Sequence, residues 1–211
     1  MKKIFNTVIG LGVLTALFIT SCGISPQREA NTLNVLASTS FLADIAQNVA
    51  GDRAHVDSLL PVGADPHAYE ATPSDVVKIS ESTVLILNGL EYEHFIESLL
   101  ENAGGERLVI TASDGLEPRQ VEEDEGEDHE EGDPHMWLDP ILVMTYVENI
   151  RDGLSEADPE GAETYNANAE AYIAELQELD AFIREQVESI PAERRLLVTN
   201  HEALGYFPPV L

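Results

Sequence analysis

The chain has a single cysteine in 211 residues, Cys22, so no disulfide framework can form within it. Basic side chains are scarce: 11 Lys and Arg against 39 Asp and Glu give a formal charge of −28. That balance argues against nucleic acid as a partner, because phosphates call for a basic face. It favours cations, or serves solubility alone. No long apolar run occurs after Ile19. The one before it, Ile4 to Ile19, is too short and too early for a stable membrane span. No nucleophile constellation is apparent, and no internal repeat beyond one doubled tripeptide.

What is present at the N-terminus reads as an export signal over residues 1–22, with Lys2 and Lys3 as its positive start. It ends Ile19-Thr20-Ser21-Cys22, which resembles the bacterial lipoprotein processing box, with cleavage before the cysteine. An unpaired cysteine in an exported protein is explained by lipidation of Cys22. A plain signal peptide with a stray thiol is the alternative. A lipid on Cys22 would hold the protein at a membrane surface without spanning it, and residues 23–32 then form a short polar tether.

From Leu33 onward short apolar runs alternate with helical patterns. Leu33 to Ala37, His55 to Leu60, Val84 to Leu87 and Leu108 to Thr111 read as strands. Helices are expected around Phe41 to Val49, from Pro73 with Thr72 as N-cap, from Glu91 to Asn102, and from Asp139-Pro140 toward Gly153. This alternation predicts an α/β fold with a mostly parallel sheet covered on both faces, over residues 33–157. Val121 to Asp133 is almost entirely Glu, Asp and Gly and is expected to be a mobile loop. A long helix follows over 158–190, its apolar stripe running Tyr165, Ala169, Tyr172, Leu176, Leu179, Ile183, Val187, Ile190. Such a helix can serve as a stiff backbone between two lobes. Pro191 stops it, and Leu196 to Thr199 is predicted to open a new strand.

The doubled tripeptide is Asp-Pro-His, at Asp65-Pro66-His67 and Asp133-Pro134-His135, and His201 follows the predicted last strand. Imidazole is the commonest protein ligand for zinc and similar metals. Each proline fixes its own φ and biases the residue before it toward extended geometry. Loops at the carboxyl ends of parallel strands are where such sheets bind ligands. His67, His135 and His201 are therefore the candidate metal ligands, whereas His55 and His94 lack the shared context and read as structural or solvated.

Four segments carry a more specific resemblance. Gly63-Ala64-Asp65-Pro66-His67-Ala68-Tyr69-Glu70-Ala71-Thr72-Pro73-Ser74-Asp75, Asn88-Gly89-Leu90, Asp133-Pro134-His135-Met136-Trp137-Leu138-Asp139-Pro140 and His201-Glu202-Ala203-Leu204-Gly205-Tyr206-Phe207 resemble the motifs of the substrate-binding lipoproteins of bacterial zinc and manganese ABC transporters, a family that includes adhesins. The resemblance implies two α/β lobes joined by a rigid helix, with the metal between them and His67, His135 and His201 as ligands. It implies a monomer, anchored outside the cytoplasmic membrane, that delivers Zn²⁺ to a permease without a chemical step. Manganese-type members carry glutamate at the third position, so His201 points to the zinc type, and imidazole donors suit zinc better than manganese. The acidic insert resembles the histidine-bearing loop of zinc-type members, with Glu127, Asp128 and His129 as auxiliary ligands or merely solvated residues. After Tyr206 the chain departs from the family pattern, so the expectation is a C-terminally truncated form in which residues 191–211 only begin the second lobe.

Two other readings stand beside this one. A manganese-binding adhesin-type lipoprotein shares the resemblance, though no adhesive module is recognisable. A zinc hydrolase could use the same three histidines with Glu202 as base. Against it, the stretch after His201 has Gly205 where a metalloprotease helix needs its second histidine.

Overall fold

The computed structural model describes residues 33–120, 132–199, 201 and 203–207. The export signal, Cys22, the tether, and residues 121–131 of the acidic stretch, with Glu127, Asp128 and His129, lie outside the described residues; Asp133, expected to end a mobile loop, is instead buried and hydrogen-bonded to His135. At the centre is a four-stranded sheet in the order β2-β1-β3-β4, built from β1 (Val35–Ala37), β2 (Val56–Ser58), β3 (Val84–Leu87) and β4 (Leu108–Thr111). Every pairing is parallel, with Val35 opposite both Val56 and Val84, and Val84 opposite Leu108. Parallel strands need crossovers, and helices supply them.

Alternation along each strand divides the core between two faces. Val35, Ala37, Val84, Ile86 and Ile110 point to one side, where α1 (Ser40–Ala50), α4 (Pro140–Ala157) and α5 (Ala162–Glu188) cover them with Leu42, Ile45, Val49, Val147, Ile150, Leu154 and Tyr165. Leu36 and Leu85 point to the other, against Ile79 of α2 (Pro73–Glu81) and Ile96 and Leu99 of α3 (Ile96–Ala103). Both faces of the central strands β1 and β3 are covered, so these two read as continuous apolar runs; at the sheet edges β2 carries Asp57 and Ser58, and Val109 of β4 is 45% exposed. Among the described residues, no helix is long and apolar enough to cross a membrane.

Helix starts follow their caps. Pro73 opens α2, and the Asp75 carboxylate reaches back to the Thr72 N–H at 2.8 Å. Pro140 opens α4, and Asp139 accepts from the Ile141 N–H at 2.8 Å. The junction between α4 and α5 is tied to the α1–β2 loop by Arg53, whose Nε and Nη2 donate to the two Asp158 oxygens at 2.7 and 2.9 Å. Tyr165 adds its hydroxyl at 2.8 Å.

Three expectations need correction. The helix expected from Glu91 begins only at Ile96, because Gly89, Leu90 and Glu91 all take positive φ and wind the chain through a tight turn first. The long helix opens with a 3-10 turn over Pro159–Gly161 and is α-helical over Ala162–Glu188; its apolar stripe packs on the core as far as Leu176, with Tyr165, Ala169 and Leu176 buried and Tyr172 partly so, while Leu179 and Phe182 are exposed. Leu196 to Thr199 is not a strand: Leu196 and Val198 are 84 and 86% exposed, and no described strand lies alongside to complete a ladder.

Candidate metal centre

All four strands run the same way, so their carboxyl ends and the loops after them share one edge of the sheet. His67 lies in the loop after β2, in a 3-10 turn over Pro66–Ala68. His135 lies ahead of the Met136–Leu138 turn that leads into α4, and His201 lies beyond α5.

The doubled tripeptide proves to be one device used twice. Asp65 Oδ1 accepts the His67 N–H at 3.0 Å, and Asp133 Oδ1 accepts the His135 N–H at 3.0 Å. An Asx turn of this kind presents the histidine at a fixed angle, and the intervening proline has no N–H to compete for the carboxylate. In the second copy Asp133 Oδ1 also meets His135 Nδ1 at 2.7 Å. With Nδ1 protonated toward the carboxylate, the Nε2 lone pair is directed outward, the arrangement by which carboxylates orient metal-binding imidazoles. His135 Nε2 stands 3.0 Å from His201 Nε2. One nitrogen from each of His67, His135 and His201 falls within 4.8 Å of the others.

That spacing suits a shared ion. Nitrogens held tetrahedrally at 2.0–2.1 Å from a metal lie about 3.3–3.4 Å apart, inside the span the three already occupy. His135 is 5% exposed, His201 half-buried and His67 exposed, so the centre has one deep wall and one open side. The wall is aromatic. Trp137 stacks on Phe41 at 4.3 Å between centroids and lies 5.1 Å from the His135 ring, and Tyr92 is 6.4 Å from both His67 and His135. Burial, reinforced by the Glu93 and Asp65 carboxylates, pushes the Tyr92 phenol well above its usual range, so it stays neutral.

Tyr206 binds the late segment to the early one. Its hydroxyl donates to the Asp133 carbonyl at 2.9 Å and accepts the Arg119 N–H at 2.7 Å. Gly205 leaves room for this contact, since a Cβ there would strike the Arg119 guanidinium and come within 3.0 Å of Asp133 Oδ2. The carboxylate role of Asp133, the Tyr206 tie and a buried Glu93 were not legible as site features in the sequence; the Asp of each Asp-Pro-His was the available signal. His55 lies away from the centre beside Asp57, at 3.2 Å, and neither it nor His94 joins the cluster.

The chain is similar to several known proteins. The sequence pattern described as zinc-uptake complex component A, periplasmic (ZnuA) matches residues 35–209. The manganese-binding lipoprotein MntA of Halalkalibacterium halodurans is 41% identical over 98% of this chain and 67% of its own length. The iron-binding protein YfeA of Yersinia pestis is 39% identical over 86% of the chain and 58% of its own length. Among solved structures, a manganese-bound periplasmic metal binding protein from Candidatus Liberibacter asiaticus superposes with a TM-score of 0.72 at 34% identity, over 82% of this chain and 63% of that one. The metal-dependent lipoprotein YcdH of Bacillus subtilis gives 0.68 at 29% identity, over 82 and 61%. The chain thus spans about three fifths to two thirds of the length of these relatives. Sheet, histidine cluster and sequence match lead to the same conclusion: the chain belongs to the ZnuA family.

Proposed function

We propose that the protein captures a transition-metal ion outside the cytoplasmic membrane, as the substrate-binding component of an ABC transporter, and that its cargo is Zn²⁺ held by His67, His135 and His201. The convergence of three imidazole nitrogens within 4.8 Å carries this reading. Nitrogen donors favour zinc, while manganese prefers more carboxylate oxygen. Cys22 is the proposed lipid anchor, consistent with the lipoprotein names of relatives such as MntA. The partner is a permease in that membrane, and the protein acts without a chemical step. In this reading α5 is the stiff connector from the lobe at 33–157 toward a second lobe.

Manganese is the competing cargo, favoured by the names of the relatives from Halalkalibacterium and Liberibacter. Zinc outbinds manganese at most nitrogen and oxygen sites, so the discriminating quantity is the gap between the two affinities and its response to a carboxylate at position 201, read by calorimetric titration of the metal-free protein with each ion. The expected result is tighter binding of Zn²⁺ than of Mn²⁺, with His201→Glu narrowing the gap by at least about tenfold as one imidazole becomes a carboxylate. Equal or tighter manganese binding by the unaltered protein would overturn zinc as cargo.

A further inference from the structure

Next in the chain after Tyr92, whose ring faces His67 and His135, comes a buried carboxylate. Glu93 is 5% exposed, and its oxygens accept from Ser38 Oγ at 2.6 Å, the Asn88 N–H at 2.6 Å and the Gly89 N–H at 3.3 Å. Ser38 follows β1 and Asn88 follows β3, so one side chain joins the ends of two neighbouring strands. It also sits under the turn in which Gly89, Leu90 and Glu91 have φ of 89°, 56° and 55°. Left-handed backbone at two consecutive non-glycine residues persists only where the surroundings over-determine it. Three donors converging on one carboxylate provide that restraint, and burial raises the pKa of the group, with the Ser38 and backbone hydrogen bonds opposing the rise.

The turn has two outputs, and both reach the metal centre. Asn88 is fully buried; its Nδ2 donates to the Pro134 carbonyl at 3.2 Å, the peptide immediately before His135. Its Oδ1 accepts from the Tyr146 hydroxyl at 2.7 Å, which together with the Nδ2 bond gives the carboxamide one orientation, and its backbone carbonyl accepts from Ser113 Oγ at 2.6 Å. Tyr92, on the same turn, supplies the aromatic wall facing His67 and His135. The first output fixes the backbone of a ligand and the second fixes the surface it packs on.

We propose that Glu93 is a positioning residue of the metal centre, acting through Asn88 and the Pro134 carbonyl on His135. The proposal rests on the three-histidine reading of the site. The carboxylate is required by donor count: it offers acceptors on both oxygens, whereas glutamine of the same shape would turn an amide N–H toward a backbone N–H at Asn88 or Gly89. A side chain that only filled space would leave the Ser38, Asn88 and Gly89 donors buried without this partner.

The test uses Zn²⁺ alone as probe on the full chain, with four variants: Glu93→Gln, Tyr146→Phe, His201→Ala and Leu154→Ala. Leu154 is a fully buried core residue away from the histidines, so its truncation lowers stability without touching the centre. Zinc affinity is read by calorimetry, stability by the Tm of the metal-free protein, and local geometry by the fluorescence response of Trp137, the chain's only tryptophan, to saturating zinc. Glu93→Gln is expected to weaken zinc binding about tenfold and to alter the Trp137 response, as outer partners of metal ligands do. Tyr146→Phe, which frees the Asn88 carboxamide, is expected to weaken binding by a smaller factor. Leu154→Ala is expected to lower Tm and leave affinity within about twofold. Unchanged affinity in Glu93→Gln, or in Tyr146→Phe if Glu93→Gln does not fold, would overturn the positioning role while His201→Ala still abolished binding. A loss in Leu154→Ala equal to that in Glu93→Gln would overturn it as well, by reducing it to general stability. Absence of zinc binding in the unaltered protein, or full binding by His201→Ala, would overturn the three-histidine reading itself.

Discussion

Replacing Asp133 by asparagine isolates the contribution of one negative charge to the metal centre. A single oxygen, Oδ1, accepts both the His135 N–H at 3.0 Å and the Nδ1 proton at 2.7 Å. Asparagine keeps an oxygen of the same reach, so the Asx turn and the ring orientation survive, and what disappears is the charge that makes His135 a stronger donor. Loss of such an outer partner costs about tenfold to a hundredfold in metal affinity, and the conservative change belongs at the lower end, near 1.4 kcal/mol. Alanine removes the acceptor altogether. It leaves two donors in a site that is nearly closed to water, so its cost belongs near a hundredfold, about 2.8 kcal/mol. The measurement is a zinc titration against a competing chelator at neutral pH, with His55→Ala as control because the His55 side chain is 79% exposed and outside the cluster. The order expected is unaltered protein and His55→Ala together, then Asp133→Asn, then Asp133→Ala. Zinc binding by Asp133→Asn and Asp133→Ala within twofold of the unaltered protein would refute the claim that this carboxylate orients a ligand.

Two further predictions concern the scaffold. The Arg53 guanidinium holds the Asp158 carboxyl below its ordinary range, so the ionised form favours the folded state; this stability is present at neutral pH and is lost as pH falls through the lowered pKa. Asp158→Asn should therefore lower Tm at neutral pH, and the difference should close in acid when both proteins are followed by circular dichroism. Gly153 lies inside α4, where alanine normally gains about 1 kcal/mol, yet a Cβ there would collide with the Ile110 side chain of β4. Overpacking of ~1–3 kcal/mol outweighs that gain, so Gly153→Ala should unfold at lower urea concentration.

Legibility in the sequence followed the locality of the interactions. Val84 to Leu87 was readable as a strand because burial on both faces writes itself as an apolar run. Leu108 to Thr111 was readable from its short run of β-branched and apolar residues, although at the sheet edge only Ile110 is buried. The Asp-Pro-His pair was readable because each turn is closed within three residues by its own aspartate. The proline drew attention in the sequence, but the aspartate makes the hydrogen bonds. The turn at Gly89 to Glu91 was not readable. Leu90 and Glu91 are ordinary helix formers, and what turns them left-handed is a carboxylate two to three residues on that also reaches Ser38, far away in the chain. Leu196 to Thr199 failed for the complementary reason: its pattern is strand-like, but a strand exists only beside another, and the described residues offer none at that place. The same distinction governs the candidate site. Which residue types face the ion can be read along the chain, whereas their orientation depends on Asp133 within its own turn and on Tyr206, Asn88 and Glu93, whose partners include residues far away in the chain. A relative could keep all three histidines and still bind weakly if those partners were altered, so affinity in this fold should track the buried Asp133 and Glu93 carboxylates as closely as the histidines themselves.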